Sequence, residues 1–469
     1  MNPLELSATT VVREVRAKRV SCRELMQAYL ERLAQVNPLH NAIVGAVDPD
    51  ELLRQADAAD QQLARATPVV GRLHGLPFAV KDLLPVRGLA HTFGSPIYQH
   101  HIASQDAVVV ARLRDAGVIF TGKTNTAEFG LGSHTFNEVY GLTRNAINPA
   151  WSAGGSSGGA AVALKLNLLP LADGSDYGGS LRNPAGWNGV YGFRTTPGLI
   201  PLESPNAWQA HLGVIGPMAR SVDDLALLGE VMAGFDARVP SSLPVSMAWR
   251  PRAFRAAHRQ TLRIGWLGDF NGHVPTDPAV LAYAWKAMER FNSEQISVVP
   301  ITLEVDFEPL WQATQVIRSH HLSQVLRAHY QNARDRARLK PEALWEVHLT
   351  QHLSAWELHE ALLTRSRYTQ IVQSLWDKVD FIAAPSAQVF AFDAHERYPT
   401  AIDSTPMRTY HEWMKSALLL SMTGCPVLAM PIPHSRQTTH SPMGLQIMAP
   451  MHQDARLLHL AKSWESMHA

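Results

Sequence analysis

The sequence predicts an α/β protein, because short apolar strands alternate along it with helices. A strand predicted at residues 76–80 is followed by a helix at 107–116 and by a second short strand at 117–121. The chain has 469 residues, of which 46% are hydrophobic, so it can bury a large core. Neither an internal repeat nor a low-complexity linker interrupts it. We therefore expect a single domain over residues 1–469.

The chain begins with two predicted helices. Ser21 and Glu24 match a capping box, in which each side chain accepts a hydrogen bond from the other residue's backbone N–H. Apolar residues then recur at helical spacing, at Leu25, Tyr29, Leu30 and Leu33. We expect the pair Asn37 and Pro38 to end this helix.

The later part of the chain predicts further alternation and one long helical region. A helix at 159–166 precedes a strand at 168–172, and helices rich in His, Trp and Leu are expected over 306–376. Strands are then predicted at 381–384, 426–430 and 443–448, and a last helix at 453–467.

Composition excludes several classes of function. Lys and Arg total 42 against 41 Asp and Glu, so no strong field attracts nucleic acid or an anionic membrane. Cys22 and Cys425 provide neither a disulfide framework nor a thiol metal site, as is usual in a reducing compartment. The first residues do not resemble a signal peptide, and prolines interrupt the longest apolar run, at 417–433. We expect a cytoplasmic protein that binds small molecules.

Two short motifs suggest other activities. Residues 117–124 satisfy the P-loop pattern G-x-x-x-x-G-K-[ST], but an apolar strand segment occupies the place of the polar phosphate loop, which disfavours nucleotide binding. Residues 154–158 satisfy the G-x-S-x-G pattern, which requires a strand directly before it. Turn-forming residues stand there instead, at 148–152. A Ser-His-Asp hydrolase stays an alternative, since the chain has 22 histidines. The pair His320 and His321 lacks a recognised metal-ligand spacing, so we expect no metal site.

The most informative feature is a pair of Gly-Gly-Ser turns that end at Ser156 and Ser180. A hydroxyl becomes a nucleophile only beside a base, and glycines before it let backbone N–H groups approach a reacting carbonyl. Lys81, at the end of a predicted strand, can supply that base.

These turns and their flanking segments resemble the amidase signature family of hydrolases. The similarity is dense over residues 73–221 and returns in two later segments. The segments that carry it are 75–82, 122–125, 141–145, 153–159, 173–185, 216–221, 423–426 and 443–447. The resemblance implies a three-layer α/β/α sandwich with a large mixed sheet, no cofactor, and a small amide as substrate.

The resemblance also assigns roles to residues. It implies that Ser180 is the nucleophile, that Ser156 relays the proton after a cis peptide bond from Gly155, and that Lys81 is the general base. The oxyanion would be held by N–H groups of the segment that contains Tyr177, Gly178, Gly179 and Ser180. Gly130 is expected at the oxyanion or substrate site. The residues expected to support the loops are Ser157, Asp176 and Arg182.

The substrate is less well defined by the sequence. Aromatic residues near the motifs suggest an apolar or aryl amide, namely Phe129, Tyr177, Trp187 and Trp208. The helical region 306–376 is expected to cover the cleft and select the substrate. The alternatives are the glutamine-cleaving A-type component of an amidotransferase, an esterase or carbamate hydrolase with the same three residues, and an inactive binding protein. Asn183 stands where the amidotransferase component has Gln, which weakens the first. A homodimer is possible.

Overall fold

The computed structural model describes residues 2–65, 70–208, 212–245, 249–252, 262–293, 295–434 and 438–467. The predicted α/β fold with a large mixed sheet is confirmed. Within these ranges, no helix combines the length and the apolar character that a bilayer span requires.

The helices and strands are numbered here in chain order. The helices are α1 (Ala8–Arg16), α2 (Cys22–His40), α3 (Pro49–Ala64), α4 (Val108–Asp115), α5 (Gly158–Lys165), α6 (Arg182–Asn188), α7 (Val222–Met232), α8 (Pro278–Met288), α9 (Phe307–Gln331), α10 (Ala333–Arg336), α11 (Pro341–Gln351), α12 (Ala355–Leu375), α13 (Lys415–Met422) and α14 (Asp454–Met467). The strands are β1 (Ile43–Val44), β2 (Pro77–Lys81), β3 (Ile119–Thr124), β4 (Phe136–Asn137), β5 (Gly141–Leu142), β6 (Leu171–Asp176), β7 (Tyr191–Arg194), β8 (Val214–Ala219), β9 (Leu262–Trp266), β10 (Ile296–Pro300), β11 (Phe381–Pro385), β12 (Ala401–Ile402), β13 (Thr405–Pro406), β14 (Val427–Pro431) and β15 (Gly444–Met448).

The large sheet has the strand order β10-β9-β11-β15-β14-β7-β8-β6. Its strands β10, β9 and β11 run parallel, and the remaining neighbours pair antiparallel. A smaller sheet has the order β1-β3-β2, in which β2 and β3 are parallel. The two sheets meet where β2 ends, because the Lys81 backbone N–H donates to Asp173 Oδ1 of β6 at 3.1 Å.

Two large apolar cores hold these layers together, and a smaller third cluster packs α9 against α11. The larger one joins the N-terminal helices to both sheets, through residues such as Leu25, Phe78 and Phe193. The second one packs α9 and α12 against α13 and the strands β11, β14 and β15. The long helices expected over 306–376 are thus α9 to α12, of which α9 and α12 pack against the large sheet.

Several predicted boundaries need correction. Helix α2 does not stop at Pro38 but continues to His40, where Asn41 adopts a left-handed conformation with φ of 50°. The Asn37 side chain then accepts hydrogen bonds from the backbone N–H groups of Ala42 and Ile43, which fixes the exit from the helix. The strand expected at 168–172 lies later, as β6, because residues 166–170 form the turn that leaves α5.

Candidate active site

Lys81 lies at the end of β2 and is almost completely buried, with 1% of its surface exposed. Among the described residues, its side-chain nitrogen has three hydroxyl neighbours and no carboxylate within hydrogen-bond distance. Nζ is 2.8 Å from Ser156 Oγ, 2.7 Å from Ser157 Oγ and 3.0 Å from Ser175 Oγ. A neutral amine has two N–H donors and one lone pair, so two of these hydroxyls can accept from Nζ while the third donates to it.

The environment of Lys81 favours this neutral form. Burial lowers the pKa of its amine to about 7, against the opposing negative charges of Asp173 and Asp176. Burial also raises the pKa of the Asp173 carboxyl to about 6. Lys81 can therefore accept a proton near neutral pH, which a lysine at its usual pKa of about 10.4 cannot do.

Ser156 sits in a turn that is held from both sides. The peptide bond between Gly155 and Ser156 is cis. Ser133 Oγ donates to the carbonyl of Gly155 at 2.6 Å, and Thr135 Oγ1 donates to that of Gly154 at 2.8 Å. Ser157 follows as the N-cap of α5, so the helix begins directly after the two serines.

The turn before Ser180 is organised by Asp176. Its carboxylate accepts from the backbone N–H groups of Gly179 at 2.8 Å and of Leu181 at 3.1 Å. Arg182 binds the same carboxylate through two nitrogens, each at 3.0 Å, in a pair with no exposed surface. Burial would raise the pKa of Asp176, but the charges of Arg182 and Arg194 together with the hydrogen bonds from Arg182 and Gly179 outweigh it, so the pKa is lowered. Gly179 has a φ of +102°, which only glycine adopts readily.

The N–H groups expected to hold the oxyanion differ in their hydrogen bonds. The N–H of Gly179 is already donated to Asp176, and the N–H of Gly130 is donated to the carbonyl of Ala127 at 2.8 Å. Both N–H groups thus have an acceptor within the protein, although Gly130 lines the cavity as expected. The N–H groups of Tyr177, Gly178 and Ser180 have no hydrogen-bond partner in the part of the chain that the structure describes.

Both serine turns open into one cavity of about 190 Å³. Lys81, Ser156 and Ser180 line it, as do Gly130 and Gly178. The Ser180 hydroxyl forms no hydrogen bond with any described residue, and the structure does not bring it within bonding distance of Ser156 Oγ. The remainder of the wall is largely apolar, with Leu83, Leu84, Phe129, Leu131, Leu202, Val214, Ile215, Leu322 and Met414.

Helix α9 supplies polar groups to this cavity that the sequence alone did not indicate. Arg318 and His321 line it, and the His321 ring stacks on Tyr177 with 5.4 Å between ring centroids. Ser175 was also not predicted as a site residue, although the sequence held a clue. It lies two residues after Asp173 in one strand, and alternate residues of a strand share one face. Arg318 had no such signal, since it lies far from the serine turns in sequence.

The four aromatic residues expected near the substrate separate into three groups. Phe129 and Tyr177 line the cavity. Trp187 is completely buried in the larger core, where its ring stacks on Trp413. Trp208 lies on the surface, with 86% of its area exposed. The expectation of four substrate-facing aromatic residues therefore holds for two of them only.

The structure also explains the two competing motifs. Residues 119–124 of the apparent P-loop form the buried strand β3. Lys123 Nζ donates to the carbonyl of Leu84 and lies 3.4 Å from Asp82 Oδ1, so it already has partners within the protein. No strand directly precedes Ser156, as a nucleophile elbow would require. His321 is the one histidine on the cavity wall in the described ranges, and these ranges hold no cluster of metal-ligating side chains.

Comparison with known proteins gives a consistent result. A model of the amidase family matches residues 24–458. An acylamidase of Rhodococcus erythropolis is 32% identical over 98% of this chain and 95% of its own length. The A component of the glutamyl-tRNA(Gln) amidotransferase of Thermus thermophilus is 32% identical over 96% of both chains. The solved structure of a bacterial aryl acylamidase of the amidase signature family superimposes with a TM-score of 0.87 at 25% identity, and covers 98% of this chain and 96% of that one. The chain therefore belongs to the amidase family of amide-hydrolysing enzymes.

Proposed function

We propose that this amidase cleaves a carboxylic amide through an acyl-enzyme on Ser180, with Ser156 as proton relay and Lys81 as general base. The observation that carries the proposal is the environment of Lys81. Lys81 Nζ is buried, and its described neighbours are three hydroxyls rather than a carboxylate. These surroundings favour a neutral amine, which can accept a proton from one of the hydroxyls.

The proton path follows from these contacts. Ser157 Oγ is also 3.4 Å from the carbonyl of Ser175, to which it can donate, so Ser157 accepts from Lys81. Ser156 is then free to donate its proton to Nζ, and its oxygen can accept the proton of Ser180. The Ser180 oxygen attacks the amide carbonyl once bound substrate closes the gap between the two serines, since catalytic hydrogen bonds often tighten only in the complex.

The negative oxygen of the tetrahedral intermediate lies opposite the free N–H groups of Tyr177, Gly178 and Ser180. Such donors are fixed before the reaction and act in a site shielded from water, where they stabilise developing charge strongly. The C–N bond breaks as the proton on Lys81 returns through Ser156 to the leaving nitrogen. Water then attacks the ester of Ser180 along the same path and releases the acid.

The cavity favours an amide with an apolar group. An apolar cavity of about 150 Å³ accommodates a benzene ring, so 190 Å³ leaves room for at least one ring or a short branched chain. Glutamine is disfavoured, because its ammonium group would need a carboxylate. The carboxylates on the wall, Asp173 and Asp176, are already bound to groups of the protein. The relatives include both an acylamidase and a component of an amidotransferase, and this feature supports the first.

The experiment is labelling and turnover in matched variants. A fluorophosphonate should form an adduct on Ser180 of the wild-type chain, and Ser180→Ala should lose both the label and the hydrolysis of aryl amides. Ser466→Ala, at an exposed serine of α14, should retain both. Rates on a matched ester, a carbamate and glutamine separate the alternatives. Retained turnover in Ser180→Ala, or an adduct on Ser156, would disprove the assignment.

A further inference from the structure

We propose that the Arg318 guanidinium donates a hydrogen bond to an uncharged acceptor on the substrate. This acceptor belongs to the part of the substrate that fills the cavity. The inference rests on the proposed function and narrows its substrate class. It predicts an amide whose buried part is apolar, about the size of one ring, and ends in a carbonyl or similar oxygen.

The first step is the position of the guanidinium. Arg318 lies on α9, lines the same cavity as Ser156 and Ser180, and has 5% of its surface exposed. Its guanidinium lies over the Tyr177 ring, with 5.2 Å between Cζ and the ring centroid. A charged donor has thus been placed in a wall that is otherwise largely apolar.

The second step is the way the guanidinium is held. Nε donates to Glu346 Oε1 at 2.8 Å, and Nη2 donates to the hydroxyl of Tyr410 at 3.2 Å. Glu346 is itself fixed by Ser319 Oγ at 2.6 Å and by His411 Nε2 at 2.9 Å. Nη1 has no hydrogen-bond partner among the described residues. The guanidinium is therefore locked on one side and keeps donors free on the other.

The third step is the charge balance, which selects an uncharged acceptor. Burial would raise the pKa of the Glu346 carboxyl, but the charge of Arg318 together with the hydrogen bonds from His411 and Ser319 outweighs it. The pKa is therefore lowered, and Glu346 is ionised. The positive charge of Arg318 is thus already matched by a buried carboxylate directly behind the wall. A carboxylate on the substrate would leave water for an apolar cavity where one guanidinium faces two anions, which is costly. A carbonyl oxygen gains a hydrogen bond from a charged donor without that cost.

The test compares substrates that differ only in this acceptor. The substrates carry a para-acetyl, para-isopropyl or para-carboxylate group on the ring. Benzamides place this group on the acyl side of the amide, and acetanilides place it on the amine side. The measured quantity is the ratio of kcat/KM values for acetyl and isopropyl substrates within one enzyme preparation, which does not depend on the fraction of folded protein. Ring electronics cancel when this ratio is compared between variants.

Removal of Arg318 alone would leave Glu346 buried and unpaired, so the variant is Arg318→Met with Glu346→Gln. Of the benzamide and acetanilide series, the one that the wild-type enzyme cleaves faster is used. In this double variant we expect its acetyl-to-isopropyl ratio of kcat/KM to fall about tenfold or more, as is usual when a hydrogen bond from a charged donor is lost. Arg327→Met, at an exposed arginine of the same helix, should keep the wild-type ratio. An unchanged ratio in the double variant would overturn the proposal.

A second variant tests the choice of an uncharged group. Glu346→Gln keeps Arg318 but removes the negative charge that balances it. We therefore expect the ratio of kcat/KM for the para-carboxylate substrate to that for the para-acetyl substrate to rise about tenfold. Wild-type preference for the carboxylate would instead identify an anion site and overturn the proposal. These ratios are independent of the label on Ser180, so a failure here leaves the acyl-enzyme assignment standing.

Discussion

In the proposed mechanism, Lys81 is the residue on which the chemistry depends most, because its amine can accept a proton only when it is neutral. Its three hydroxyl neighbours provide hydrogen bonds without providing a compensating negative charge. Burial in such surroundings depresses the pKa of an amine, and the pKa of Lys81 is lowered to about 7. The site therefore titrates near neutrality although its proposed base is a lysine.

The pH dependence of activity follows from this pKa. Protonated Lys81 cannot accept the Ser156 proton, so we expect kcat/KM to rise with pH through about 7 and to level off above it. Lys81→Ala should lose about 100-fold to 10,000-fold in kcat, the usual contribution of a general base. Lys81→Arg should fail equally, since its guanidinium stays charged. The measurement is a pH–rate profile of each enzyme, and an active Lys81→Arg with the wild-type profile would show that the base lies elsewhere.

Sequence reasoning reached the residues whose neighbours in the chain reveal them. Lys81, Ser156 and Ser180 each stand in a glycine-rich or strand-end segment with a recognisable pattern. The sequence could not show that the N–H of Gly179 is consumed by Asp176, because this depends on how a turn folds back on a carboxylate. Nor could it place Arg318, whose role depends on the packing of α9 over the serine turns.

Among the elements, α5 shows most clearly how packing positions the site. The helix begins at Gly158, immediately after the two serines, and the Gly159 N–H donates to the carbonyl of Asn125, the residue after β3, at 3.2 Å. A Cβ on Gly159 would lie 2.4 Å from the backbone nitrogen of Asn125 and 2.6 Å from the carbonyl oxygen of Ala42. Since neither backbone atom can yield cheaply, only glycine allows this approach.

We therefore expect Gly159→Ala to lower both stability and activity. Alanine favours a helix by up to about 1 kcal/mol over glycine, but the overpacking should cost more, with a net loss of about 1–3 kcal/mol in the free energy of unfolding. The displaced helix should also move Ser156 and Ser157, and lower kcat about 100-fold. Urea unfolding and steady-state rates check this. Gly213→Ala is the control for stability, because its Cβ would find its nearest neighbours at 3.7 and 3.8 Å. Equal stability of the two variants would contradict the argument.

Elements with a regular apolar pattern were predicted within a few residues, as for α4, β11, β15 and α14. The strands β7, β8 and β9 were not predicted. Gly216 and Pro217 lie within β8, and Gly265 lies within β9, so the local sequence of each weakens the strand signal. These segments are strands because their neighbours in the large sheet hold them there, which is a tertiary effect that local propensity does not contain.

The whole molecule is organised so that the helices over the site share a core with the sheet under it. Leu375 and Tyr368 of α12 pack in the same apolar cluster as Val427 of β14 and Met448 of β15. Helix α12 thus depends on the same packed interior as the strands β14 and β15 of the large sheet. The division into a single domain over 1–469, with residues 306–376 as an internal cap, stays a prediction, and so does a homodimer.

This shared core predicts that cap and sheet unfold together. Leu375→Ala removes a nearly buried side chain from it and should cost about 2–5 kcal/mol, whereas Leu362→Ala, at a residue of α12 that is 43% exposed, should cost less than about 0.5 kcal/mol. The measurement is urea unfolding followed by circular dichroism, together with hydrogen exchange of the amides in α12 and β14. We expect one transition in both variants, with the protection of α12 and of β14 falling in parallel in Leu375→Ala. A side chain that couples two elements must weaken both when it is removed. If Leu375→Ala instead showed an early transition in which α12 alone lost its protection from exchange, the cap would be an independent unit.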